Sequence, residues 1–127
     1  MDVGDVDVVL PCLDEAAALP AVLAAMPPGF RPIVVDGGSR DGSPRVAVAH
    51  GATLMYARHG SAVGTGLAGA TAPVVCVMAC DGSLDPGELP RLVAPLLAGE
   101  ADLVTARRVP GDARGGGRAA AEARRVT

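Results

Sequence analysis

The sequence predicts an α/β domain, a mostly parallel sheet with helices on both faces. Three observations carry this reading. Short apolar runs rich in valine alternate with segments of helical periodicity, the pattern of strand–helix–strand units. Two of those runs are compact enough to be strands buried on both faces, as parallel sheets require. The 127 residues, half of them apolar, suffice for one domain around one modest core.

The elements follow in order. Val6–Leu10 is a compact run and the first strand. Asp14 and Glu15 lead into a helix whose Leu19, Val22, Leu23 and Met26 recur at the spacing of one helical face. Pro27, Pro28 and Gly29 end it, since proline can neither donate to nor fit inside the next turn. Ile33–Val35 is the second strand, and Asp36 to Ser43 form a Gly/Asp/Ser loop. Ser43 and Pro44 read as the N-cap and first residue of a helix that Gly51 stops. Ala52–Tyr56 makes a third strand, and small residues between 61 and 72 predict a short helix before Pro73. Val74–Met78 is the fourth strand. Asp85, Pro86 and Glu88 have the cap, proline and acid of a helix start. Leu89, Leu92, Val93 and Leu96 are that helix's buried stripe, with Pro95 a point of bending. Leu103–Thr105 is a fifth strand. Beyond Pro110 the pattern fails, so residues 1–109 are expected to form the domain and 110–127 a flexible Gly/Ala/Arg-rich tail.

Composition excludes several functions. The net charge of −3 argues against a nucleic-acid surface. It is divided into −5 over residues 1–109 and +2 over 110–127. Cys12, Cys76 and Cys80 have no CxxC spacing, and His50 and His59 stand at unrelated positions, which argues against zinc. An odd number of thiols suits a reducing compartment, and no apolar run approaches the roughly 20 residues of a membrane span. A cytoplasmic protein is the expectation. With no lysine anywhere, a P-loop is excluded.

The chemistry-bearing residues gather at strand ends. Pro11-Cys12-Leu13-Asp14-Glu15 closes the first strand, the Asp36–Ser43 loop the second, and Asp81 follows the fourth. Each acid alone reads as a turn former. Together they place several carboxylates on the one rim of a parallel sheet where ligands bind. The glycines and aspartates of the 36–43 loop suit a tight turn with exposed N–H groups.

With these residues in place, the chain resembles the family 2 glycosyltransferases of GT-A fold, including the polyprenyl-phosphate mannose and glucose synthases. The matching pieces are Val8–Glu15, Val34–Ser43, Gly60–Gly69 and Asp81–Leu89, so the likeness runs from about Val6 to Arg108. The resemblance implies a site for a nucleotide-diphosphate sugar. Pro11 and Glu15 would line the base and ribose pocket with Leu13 between them, and Asp36 would hydrogen-bond the base. Gly38, Ser39 and Asp41 would shape the loop, and Asp81 would hold Mg²⁺ or Mn²⁺ on the diphosphate. A hard divalent ion suits carboxylate and phosphate oxygens and neutralises charge on the leaving nucleotide. The implied acceptor is a polyprenyl phosphate, met at the membrane surface.

Two departures bear on activity. Ala79-Cys80-Asp81 lacks the first acid of the family's Asp-x-Asp, and Cys80 is too soft a ligand to replace it. Family members continue into a second half that supplies the acceptor pocket and the catalytic base, and no residue of this chain is assigned as that base. A donor-binding module without turnover is therefore the alternative, with a sugar-phosphate nucleotidyltransferase behind it. That third class carries a basic glycine-rich loop where this chain has Pro11–Glu15. Gly64-Thr65-Gly66-Leu67-Ala68-Gly69 matches the dinucleotide fingerprint in letters, but Arg58, His59, Gly60 and Ser61 intervene after the preceding strand, and Pro73 leaves the following helix very short. Close packing of a helix on the sheet is the simpler reading. Cys76 and Cys80 read as small buried hydrophobes, Arg58 as a surface charge, and Arg107 and Arg108 as candidates to hold the diphosphate.

Overall fold

The computed structural model describes residues 6–58, 60–107 and 119–125. The elements are β1 (Val6–Cys12), α1 (Leu19–Ala24), β2 (Phe30–Asp36), α2 (Ser43–Ala49), β3 (Thr53–Tyr56), α3 (Ala62–Gly69), β4 (Val74–Met78), α4 (Leu89–Leu97), β5 (Leu103–Arg107) and β6 (Ala119–Arg125). A 3₁₀ turn at Pro86–Glu88 leads into α4. Among these residues no helix is long and apolar enough to cross a membrane.

The sheet runs in the order β3-β2-β1-β4-β6-β5. β1 pairs in parallel with β2 and β4, and β2 with β3. Among the described strands, β6 is the one antiparallel to the rest, wedged between β4 and β5. The order turns back between β1 and β4, and in open α/β sheets that switch point is where the strand ends leave a crevice for ligands.

β1 is buried on both faces, as its apolar run requires. Val6, Val8, Leu10 and Cys12 join Leu19, Val22 and Leu23 of α1, Ala47 of α2, and Leu89, Val93 and Leu96 of α4. Val9 points the other way, with Ile33, Val35 and Val75, into a smaller cluster beneath α3. The helices thus divide three to one between the faces. Each fully buried valine or leucine contributes about 1.5–3 kcal/mol, so the β1–β2–β4 centre is where cohesion is concentrated.

One charged residue lies inside this apolar strand. Asp7 is fully buried, and its two carboxylate oxygens are both used. Oδ1 accepts from Arg31 Nε at 2.7 Å, and Oδ2 accepts the amides of Thr71 and Ala72 at 2.9 and 3.0 Å. The Arg31 guanidinium also donates to Thr71 Oγ1 at 2.8 Å. This network ties β1, β2 and the approach to β4 together at the edge opposite the strand ends described above.

The structure corrects the sequence expectations in three places. Residues 119–125 are not a flexible tail: they form β6, with Ala121 and Ala123 buried under α4. Alanines have little strand propensity of their own, but only small side chains fit between two strands and a helix, so pairing overrides propensity. At α2, Gly42 rather than Ser43 is the N-cap, with φ of 87°, and Ser43 is the first helical residue. The strands also extend beyond their apolar cores, β1 to Cys12, β2 over Phe30–Asp36 and β5 to Arg107. Pro95 does not end α4, which continues to Leu97. Proline lacks the N–H for its i−4 hydrogen bond, and α4 bears that loss two residues before its end.

Candidate functional site

The strand ends enclose a cleft of about 460 Å³. Pro11 and Cys12 from β1 meet Leu13 and Glu15 from the loop that follows. Gly37 after β2, Ala57, Gly60 and Ala62 around the end of β3, and Ala79, Cys80 and Asp81 after β4 complete the lining. All lie at or beyond the C-terminal ends of parallel strands, across the β1/β4 switch point.

The first wall is built by two loops clasped to each other. Asp14 adopts a positive φ of 54°, a conformation that Asp tolerates better than most residues. Its amide donates to Ser39 Oγ at 2.8 Å, and its carboxylate accepts the Arg40 amide at 2.7 Å. The Glu15 amide donates to Ser43 Oγ at 3.0 Å and the Ala16 amide to Asp41 Oδ2 at 3.0 Å. Asp41 also accepts the Ser43 amide and hydroxyl, and these bonds hold its exposed carboxyl below the ordinary carboxylate value. The clasp fixes the backbone that presents Leu13 and Glu15 to the cleft.

Asp36 closes β2 and is only 3 % exposed. One oxygen accepts the amides of Gly38 and Ser39, both at 2.9 Å, so the carboxylate caps its own loop. The other, Oδ1, is buried with no hydrogen-bond partner. A buried carboxylate oxygen in that state retains its capacity to accept, and an incoming N–H or hydroxyl would relieve the cost of its isolation.

The far wall follows β4. Asp81 Oδ1 accepts the Ser83 amide at 2.9 Å, an Asx turn that orients the carboxylate at the cleft lining. The Cys80 thiol donates to the Pro11 carbonyl at 3.2 Å, and burial raises its pKa far above the usual thiol value. Its softness makes it a poor donor for a hard divalent ion, and it packs as a small buried side chain.

Among the described residues the lining carries two carboxylates, Glu15 and Asp81, and no arginine. A diphosphate placed here would be repelled unless a cation accompanied it. Among the described residues no group of three or more His, Cys, Asp or Glu is arranged to hold a metal ion. Asp81 offers the single kind of oxygen donor that a hard divalent ion prefers, so any such ion would need further oxygens from its ligand.

Of the residues singled out in the sequence, Pro11, Leu13, Glu15 and Asp81 come together in the cleft. Asp36, Gly38, Ser39 and Asp41 are not in its lining: Ser39 and Asp41 belong to the clasp, and Asp36 is buried at the end of β2, capping the Gly38 and Ser39 amides. Sequence reasoning missed Gly37, Ala57, Gly60 and Ala62, whose contribution is backbone and methyl surface with no chemical signature. The Gly64–Gly69 glycines lie inside α3, so the dinucleotide reading does not hold. Arg108 and the Arg107 side chain lie outside the described residues.

The parallel-centred sheet with its switch-point cleft is the GT-A fold of glycosyltransferases, as the likeness to solved structures shows. The sequence profile of glycosyl transferase family 2 matches residues 7–124, and the chain belongs to that family. It is 54% identical over 111 residues to uncharacterized glycosyltransferases of Mycobacterium bovis and Mycobacterium tuberculosis. The match covers 84% of this chain and 50% of those relatives, so the chain spans about half their length. Among solved structures it resembles glucosyl-3-phosphoglycerate synthase from M. tuberculosis in complex with Mn²⁺, UDP and glucosyl-3-phosphoglycerate. That likeness has a TM-score of 0.72 and 29% identity, covering 84% of this chain and 44% of that one. The same enzyme with Mn²⁺, UDP-glucose and phosphoglyceric acid matches with a TM-score of 0.72 and 29% identity, over 86% and 45% of the two chains.

Proposed function

We propose that this chain is the donor-binding half of a family 2 glycosyltransferase, taking a uridine-diphosphate sugar in the cleft between the β1 and β4 ends. The observation that carries the reading is the juxtaposition of Pro11, Leu13, Glu15 and Asp81 in one cleft at the switch point. The UDP and UDP-glucose complexes of the structural neighbours support the choice of base.

The roles are those the family resemblance implies, and the cleft lining is compatible with them. Pro11 and Leu13 supply apolar surface for the base, and Glu15 accepts from ribose hydroxyls. Asp36, through its unpartnered Oδ1, accepts from the base, while Gly38, Ser39 and Asp41 act by holding the loop. Asp81 holds Mg²⁺ or Mn²⁺, which when bound with the nucleotide neutralises the diphosphate charge and stabilises it as a leaving group. The second molecule in the neighbours is phosphoglyceric acid, so a polyprenyl-phosphate acceptor is not carried forward. Three free, buried cysteines are consistent with placement in the cytoplasm.

Calorimetric titration tests this. UDP should bind far more tightly with Mn²⁺ than with EDTA, and Asp81→Asn should abolish the difference. Uridine, which lacks the diphosphate, should bind the same with and without metal. UDP binding that ignores both Mn²⁺ and Asp81→Asn would sink the proposal. Ala79 favours a second reading, a module that binds donor without turnover. Transfer or hydrolysis of UDP-glucose by this chain alone rules that out.

A further inference from the structure

The Gly64–Gly69 stretch has no dinucleotide role, yet its residues are held too specifically for a surface helix. We infer that Thr65 is a positioning residue for the nucleotide cleft, acting through the turn that carries Gly60; the inference rests on the donor-site reading above.

Gly60, Ala57 and Ala62 form the third wall of the cleft. Ala57 and Ala62 pack against the Val9, Ile33, Val35 and Val75 cluster, whereas Gly60 has φ of 74° and open space where its Cβ would stand, so its own position is set by the backbone of the turn. The Ala57 amide is held by the Asp36 carbonyl at 2.8 Å, and beyond it two hydrogen bonds of the turn use one side chain. Thr65 Oγ1 accepts the Arg58 amide at 2.9 Å and donates to the Ser61 carbonyl at 2.7 Å. The same carbonyl accepts the Thr65 amide at 3.1 Å, and the Ser61 amide closes the turn on the Arg58 carbonyl at 3.0 Å. Ser61 Oγ caps α3 by accepting the Gly64 amide at 2.9 Å. A single hydroxyl thus bridges the two ends of the turn.

The bracket is referenced to the sheet. Gly66, the next residue, lies so close to β1 and β2 that a Cβ there would stand 2.4 Å from Val9 Cγ1 and 3.1 Å from Val35 Cγ2. α3 is therefore seated against strands whose ends form the cleft floor. Thr65 transmits that seating to the turn, and the turn sets the width of the cleft opposite Glu15 and Asp81. Displacement of a binding wall by an ångström, from a residue that never touches the ligand, is enough to cost an order of magnitude or more.

The test compares UDP titrations, in the presence of Mn²⁺, of the full chain and its Thr65→Val, Thr65→Ala and Thr65→Ser variants, with amide exchange at Arg58 as the local readout. Valine and alanine both remove the hydroxyl, one keeping the β-branch and one not. Both should weaken UDP binding by about tenfold and speed exchange at Arg58. Serine, which keeps both hydrogen bonds, should retain the parent's affinity and protection. The inference is overturned if Val or Ala binds UDP as the parent does while the Arg58 amide is released, or if Ser loses as much as Val. Failure of the parent chain itself to bind UDP would overturn the donor-site reading, and the inference with it. The parent titration separates the two cases.

Discussion

Asp7 shows how one residue can be invisible in a sequence and central in a structure. Flanked by valines, it reads as part of an apolar run, and nothing in its neighbours announces a partner 24 residues on. In the fold its carboxylate is fully buried and answered by Arg31, Thr71 and Ala72. Removing one member of a buried pair leaves the others uncompensated, at a cost of about 3–5 kcal/mol. Arg31 is half-exposed and can rehydrate, so Asp7→Ala should sit at the lower end, about 3 kcal/mol, read from the urea midpoint. Asp41 makes a prediction in pH. Its folded value is depressed below 3.8, so its hydrogen bonds stabilise the clasp above that value. They are lost as pH falls through the lower, folded value. The Ala16 amide resonance should therefore titrate with a midpoint below 3.8, and Asp41→Asn should abolish that transition. The thiols follow from burial alone: desolvation pushes Cys76 up to about 12, leaving almost no thiolate. Native protein should resist thiol reagents and react fully only when unfolded, as the reading of Cys76 and Cys80 as buried hydrophobes requires.

Among the elements, α3 was legible as a helix of small residues but not for the reason it is small. Gly66 is required because β1 and β2 come too close for a Cβ, and both obstructing atoms belong to stiff, β-branched valines. Gly66→Ala gains about 1 kcal/mol of helix propensity and loses about 1–3 kcal/mol to overpacking. The 2.4 Å approach decides the sign. The variant should melt at a lower temperature than the parent, and an unchanged or higher melting temperature would show that α3 slides freely on the sheet. β4 was recovered to the residue because it is apolar throughout, and β3 to within one residue because Gly51 marks where the preceding helix stops. The ends of β1, β2 and β5 were not, because their last residues are chosen for the rim and not for the core. The N-cap at Gly42 was misplaced for a related reason. Ser43 has a capping side chain, but that hydroxyl is spent on the Glu15 amide across the clasp.

At the scale of the whole molecule, β6 decides whether the sheet is complete. Its alanines separate β4 from β5 and underlie α4, with Ala123 fully buried. Ala123→Asp would bury a carboxylate with no partner and should cost about 3 kcal/mol or more in stability. Thermal unfolding by circular dichroism checks this, and a melting temperature equal to the parent's would return residues 119–125 to the status of a tail. The chemistry-bearing residues were legible in outline. Pro11, Leu13, Glu15 and Asp81 meet in the cleft because strand ends in a parallel sheet share one edge, and that rule needs only the order of elements. By itself, then, the sequence determined the class of fold, its central strands and the rim where a ligand would sit, since periodicity and apolar runs are local properties. Tertiary structure alone decided which rim residues face the cleft and which clasp it from behind. It also decided that an alanine-rich segment becomes a strand and that one buried aspartate is paired. Each of those outcomes depends on contacts between segments far apart in the chain, and such contacts leave no periodic trace.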